Sequence, residues 1–193
     1  MSEISRALLF MVSCVFTENV VFSRLLGVGI FKKAHRVENA IGLGLVMAAL
    51  ATLTALFAWL LDRLLLVPLK VEFLRLPVYV LVMIGLALLA LLLTKRIRPE
   101  LGEALEDSFL PMAANCAVLG IAILNFESGY GLGYALLHGL FGGLGYLLAI
   151  VLMAGVQERI EFSRVPESMK GLPITLVSAS LMALAFLGFM GMA

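Results

Sequence analysis

The chain has 193 residues, of which 62% are hydrophobic and only 14% charged, and its mean hydropathy is +1.08. A soluble domain of this length needs far more polar surface to cover its core, so the composition excludes one. A net charge of +1 gives no footprint for nucleic acid or for an acidic partner.

A helix needs about 20 apolar residues to cross the hydrocarbon core. Six runs approach that length: residues 7–22, 39–61, 76–94, 108–125, 131–155 and 172–193. The first is a poor secretory signal, because Glu3 precedes it, Glu18 and Asn19 interrupt it, and no small-residue cleavage site follows. After the break it continues through Arg24 to Gly27 and Gly29. The second and third runs are uninterrupted. The fourth carries Pro111, Asn115, Cys116 and Gly120 within its apolar stretch. The fifth and sixth are again uninterrupted, and pairs four apart (Gly139 and Gly143, Ala179 and Ala183) suit close helix contact. Connections are short, so the chain reads as one all-α integral membrane domain over residues 1–193.

Cation placement orients it. With six crossings, Arg6, Arg63, Lys70 and Arg75 lie on the side of the termini, and the other ten of the 14 lysines and arginines lie opposite. Positive-inside bias then puts both termini on the non-cytoplasmic side. The two interrupted runs open the halves 1–94 and 95–193, three spans apart, so the halves are expected to sit inverted. Broken helices at matching places in inverted halves mark a functional centre near the midplane, where protein must cover the freed backbone.

Three polar residues belong to that expected centre. Glu18 is ionisable within a membrane segment, hence a functional candidate, with pairing to Arg24 or a place near the interface as the plain alternative. Asn19 and Asn115 are suited to hydrogen-bonding backbone where a helix breaks. Gly27, Gly29 and Gly120 permit close backbone approach. Cys14 and Cys116 lie in apolar segments and give no disulfide framework. The ordinary fate of each is a small buried apolar side chain. No Cys-x-x-Cys or His-x-x-His cluster occurs, so a metal would have to be shared with another chain. His138 reads as a structural histidine. Lys32, Lys33, His35 and Arg36 read as an anchor against anionic lipid. Phosphate-loop, nucleophile–base and dinucleotide signatures are missing, so no catalytic site of its own is expected.

Residues 18–27 (Glu-Asn-Val-Val-Phe-Ser-Arg-Leu-Leu-Gly) and 115–120 (Asn-Cys-Ala-Val-Leu-Gly) resemble the first- and fourth-helix motifs of the RnfA/NqrE family, with the RnfA branch fitting better. Glu158-Arg-Ile, Val165-Pro166 and the run from Gly171 agree along the rest of the chain. The resemblance implies a bacterial plasma-membrane subunit of an Rnf complex, which couples ferredoxin–NAD electron transfer to sodium or proton translocation. It also implies other Rnf subunits as partners, among them a homologous, inverted RnfE-like subunit that shares a mid-membrane 2Fe-2S cluster. Cys116 matches the fourth-helix cysteine of the family and is the metal ligand so implied. The family's first-helix cysteine falls at Gly29. A substitute ligand (Cys14 by rearrangement, or one from a partner), an altered or missing cluster, and a divergent paralogue are the three ways to accommodate that glycine. A small inverted-repeat solute or ion transporter, and a cofactor-free scaffold subunit, are the alternative functions.

Overall fold

The computed structural model describes residues 9–27, 37–97, 113 and 115–189. Helices are the sole regular structure among them, and three are long and apolar enough to span a bilayer. The first segment is helical from residue 9, widens into a π-turn at Ser13–Thr17, breaks at Glu18 and Asn19, and restarts as α1, Val20–Arg24. Helix α2, Val37–Leu61, continues through a second π-turn, Asp62–Leu66, and a last turn, Val67–Leu69. That turn contains Pro68, which has no N–H to continue an α register. After a 3₁₀ turn, Glu72–Leu74, come α3, Arg75–Ile97, and α4, Cys116–Glu127. Helices α5, Leu132–Glu161, and α6, Leu172–Leu187, complete the order.

The three long spans are Val37–Leu69, Glu72–Arg96 and Leu132–Glu161, corresponding to the second, third and fifth runs. The other three runs are shorter as helices. The first is divided at Asn19. In the fourth, α4 has 12 residues, about 18 Å of rise. In the sixth, α6 has 16 residues, followed by residues outside the described set.

Helices α2 and α5 run antiparallel as the central pair. At one end the Val37 N–H donates to Glu158 Oε1 at 2.9 Å; at the other, Trp59 Nε1 donates to the Tyr130 carbonyl at 3.0 Å. Between these pins the contact is nearly backbone on backbone. A methyl group built on Gly143 would stand 2.7 Å from Ala48 Cα, so only glycine admits this approach. Dispersion across such small-residue surfaces holds helices together where lipid removes the hydrophobic drive. One apolar core joins α2 and α5 to the rest: Ala40, Met47, Ala149, Ile150 and Met153 are all buried, and Val20, Val118 and Ala179 pack into the same cluster. Leucines of α3 and α6 (Leu81, Leu92, Leu181, Leu184) point outward.

Candidate functional site

Both helix breaks are built on asparagine. Asn19 is fully buried; its Oδ1 accepts from the Val21 and Phe22 N–H groups at 3.1 and 3.3 Å, capping α1. Its Nδ2 donates to the Val15 and Gly145 carbonyls, each at 2.9 Å. One amide therefore serves the helix that ends, the helix that begins and the wall of α5. Such local side-chain bonding is what makes asparagine a strong N-cap, and lipid would leave those groups unsatisfied.

Asn115 repeats the device. Its Oδ1 accepts from the Ala117 N–H at 2.8 Å, capping α4, and its Nδ2 donates to the Tyr146 hydroxyl at 3.0 Å. The Tyr146 hydroxyl in turn donates to the Gly27 carbonyl at 3.3 Å, and the Gly27 N–H donates to Cys116 Sγ at 3.0 Å. The first and fourth segments thus meet, with Gly27 between Tyr146 and Cys116. Gly27 has φ of 80°, and a Cβ there would lie 2.6 Å from the Tyr146 ring and 2.9 Å from Asn115 Oδ1. Both strain and space restrict the position to glycine. Gly145 and Tyr146, the anchors of the two breaks, are neighbours midway along the 30-residue α5. The meeting point therefore lies near mid-height of that helix.

Cys116 is exposed, and its thiol opens into a cleft of about 270 Å³. Leu119, Gly120 and Ile123 give the cleft apolar walls, while Arg24 and Glu127 bring charge to it. Neither charge has an ion-pair partner among the described residues.

The other expected site residues take different places. Cys14 is a buried free thiol within the π-turn, 3% exposed. Glu18 is exposed, and its carboxylate makes no hydrogen bond or ion pair among the described residues. The pairing of Glu18 with Arg24 is not formed: neither side chain has an ion-pair partner among the described residues. A Cβ at Gly120 would meet the flexible end of Leu26 at 2.6 Å and Val20 Cγ1 at 3.8 Å, so the approach there is to side chains rather than to backbone. Gly29 lies outside the described residues. His138 is buried, with Nδ1 2.7 Å from Asn125 Oδ1 and Phe10 and Tyr130 packed beside its ring.

Sequence reasoning passed over Tyr146. Its signal was available, since a tyrosine at the centre of an apolar run needs a partner for its hydroxyl.

As a metal site, the donor set is incomplete within the chain. Among the described residues no three His, Cys, Asp or Glu side chains gather. What Cys116 offers is one accessible sulfur that already accepts a backbone N–H, an arrangement that suits a single thiolate of a shared centre.

Residues 7–193 match the family of Rnf-Nqr subunits, membrane proteins. The chain belongs to this family. It is 38% identical, over 94% of its own length and 95% of the relative's, to the A subunit of the Na(+)-translocating ferredoxin:NAD(+) oxidoreductase complex of Acetobacterium woodii. It is 36% identical to the A subunit of the ion-translocating oxidoreductase complex of Syntrophotalea carbinolica and 37% identical to that of Pectobacterium atrosepticum, in each case over 96% of both chains. The resemblance read from residues 18–27 and 115–120 is thus to the right family, and its relatives are named as A subunits of ion-translocating oxidoreductase complexes. Family and apolar helices together make this a multi-pass membrane protein.

Proposed function

We propose that the chain is the A-type membrane subunit of an Rnf-type complex in a bacterial plasma membrane. The complex couples ferredoxin–NAD electron transfer to sodium or proton movement. The chain's share is one side of a mid-membrane redox centre. Support comes from the relatives' names and, in the geometry, from one observation above the rest: an exposed cysteine sulfur, near mid-height, held by the N–H of a glycine from the other broken segment.

The division of labour follows from the residues. Cys116 is the ligand this chain would give to a 2Fe-2S cluster. The Gly27 N–H would lower the charge density on the sulfur, since hydrogen bonds to sulfur tune such centres. Tyr146 and Asn115 fix Gly27 so that its N–H stays aimed. Leu119 and Ile123 would give the centre apolar walls. When bound, the cluster supplies a one-electron carrier. The remaining ligands would come from a homologous, inverted, RnfE-like subunit seated on the cleft, and other Rnf subunits would complete the complex. In this reading the termini face away from the cytoplasm and the two halves sit inverted.

The experiment is iron and acid-labile sulfide analysis of the complex purified through this chain, beside solute uptake by the isolated chain in vesicles. Iron and sulfide in stoichiometric amount support the reading. A complex with neither, alongside uptake by the isolated chain, would replace it with transport.

A further inference from the structure

The Cys116 cleft carries two opposite charges, and the chain sets them at different places along it. Leu25 takes the left-handed conformation at the end of α1, with φ of 52°, and the Leu26 N–H turns back to the Val20 carbonyl at 3.4 Å. This turn buries Gly27, whose N–H reaches Cys116 Sγ, and leaves Arg24 exposed on the wall of the cleft. Glu127 lines the same cleft but ends α4, which Cys116 begins. The helix between them has 12 residues, so about 16 Å of rise separates their backbones.

Depth makes Arg24 unusual. Gly27 is tied to Tyr146, midway along α5, and three residues of chain reach at most about 10 Å. Half the hydrocarbon core is about 15 Å, so the Arg24 backbone lies within it. A charged side chain at that depth is costly unless it faces protein or water or pairs with an opposite charge. Among the described residues Arg24 has no carboxylate partner and no aromatic ring beneath its guanidinium. The centre assigned to Cys116 is itself an anion: thiolate ligands give an iron–sulfur cluster a net negative charge, which grows on reduction, and that charge is one of the levers on its potential.

We propose, resting on the redox reading of Cys116, that Arg24 is the counter-charge of the shared centre. Its guanidinium, on the wall of the cleft that the sulfur opens into, favours the reduced form and so raises the midpoint potential. The arriving electron adds one negative charge, and a fixed cation stabilises that charge where the apolar walls of Leu119 and Ile123 do not. Arg24 supplies no ligand and moves no proton; it acts through its charge. Glu127, farther along α4, acts in the opposite sense and more weakly.

The complex purified through this chain is poised at graded potentials, the reduced cluster is followed by electron paramagnetic resonance, and iron is measured on the same samples. Arg24→Gln is expected to keep its iron and to move the midpoint negative, by about tenfold in the oxidised-to-reduced ratio at a fixed potential, or about 59 mV for one electron. Arg24→Lys keeps the charge and is expected to recover most of that shift. Glu127→Gln is expected to move the midpoint positive, and by less. Full iron with an unmoved midpoint in Arg24→Gln overturns the proposal and leaves Cys116 as a ligand untouched. An equal shift in Arg24→Lys overturns it too, since the shape of the guanidinium and not its charge would then be the cause. Loss of the partner subunits from Arg24→Gln overturns it by assigning Arg24 to an ion pair across the subunit interface. If Arg24→Gln does not accumulate, a near-native midpoint in Arg24→Lys together with a positive shift in Glu127→Gln supports the proposal, and any other outcome of that pair overturns it. A native complex without iron sinks the redox reading itself, and this proposal with it.

Discussion

The two helix breaks use the same residue and lean on adjacent positions of α5, yet they end differently. Around Asn19 every polar atom of the amide is engaged, the side chain is buried, and nothing is left for a ligand. Around Asn115 the amide makes one cap bond, from the Ala117 N–H, and one bond to Tyr146, and the next residue turns a sulfur outward into a cleft. The difference lies in the residue after each asparagine. Val20 goes into the core, whereas Cys116, the first residue of α4, faces out. One break is an anchor; the other is an anchor with a reactive group attached.

That contrast orders the effects of substitution. Asn19→Leu is the most damaging, because it strands two backbone donors and two carbonyls in a dry setting. We expect a loss of about 3 kcal/mol or failure to accumulate, read as yield and unfolding midpoint in detergent. Gly27→Ala comes next, with a left-handed φ and the Tyr146 ring in the way. It should lose about 2 kcal/mol by the same measurement and should also disturb Cys116. Tyr146→Phe removes one hydroxyl that joins Asn115 to Gly27. A loss of about 1 kcal/mol is expected, together with a shifted electron-paramagnetic-resonance signal from any cluster in the purified complex. An unshifted signal would mean that Tyr146 does not aim the Gly27 N–H. Cys116→Ser should have the smallest effect on folding, within about 0.5 kcal/mol, since the side chain is exposed.

Much of this was legible in the residues. An asparagine interrupting an apolar run announces a cap, because lipid offers the backbone no other partner, and both asparagines do that work. The glycine pair Gly139 and Gly143 announces a close helix contact, since it lies on one helical face, though not that α2 is the partner. The rest depends on which residues become neighbours across the fold. Nothing in the order of residues says that Gly27 meets Cys116, as 89 positions separate them. Glu18 and Asn19 are adjacent in the chain and look like one polar pair, yet the helix break sends one outward and buries the other.

The central claim is that Cys116, and not Cys14, is the thiol this chain gives to a shared redox centre. Iron per complex, measured in Cys14→Ser and Cys116→Ser purified side by side with their partner subunits, tests it most directly. The account expects full iron content in the first and loss of the cluster's iron in the second, with both complexes intact. Equal iron in the two variants, or loss only in Cys14→Ser, would contradict it.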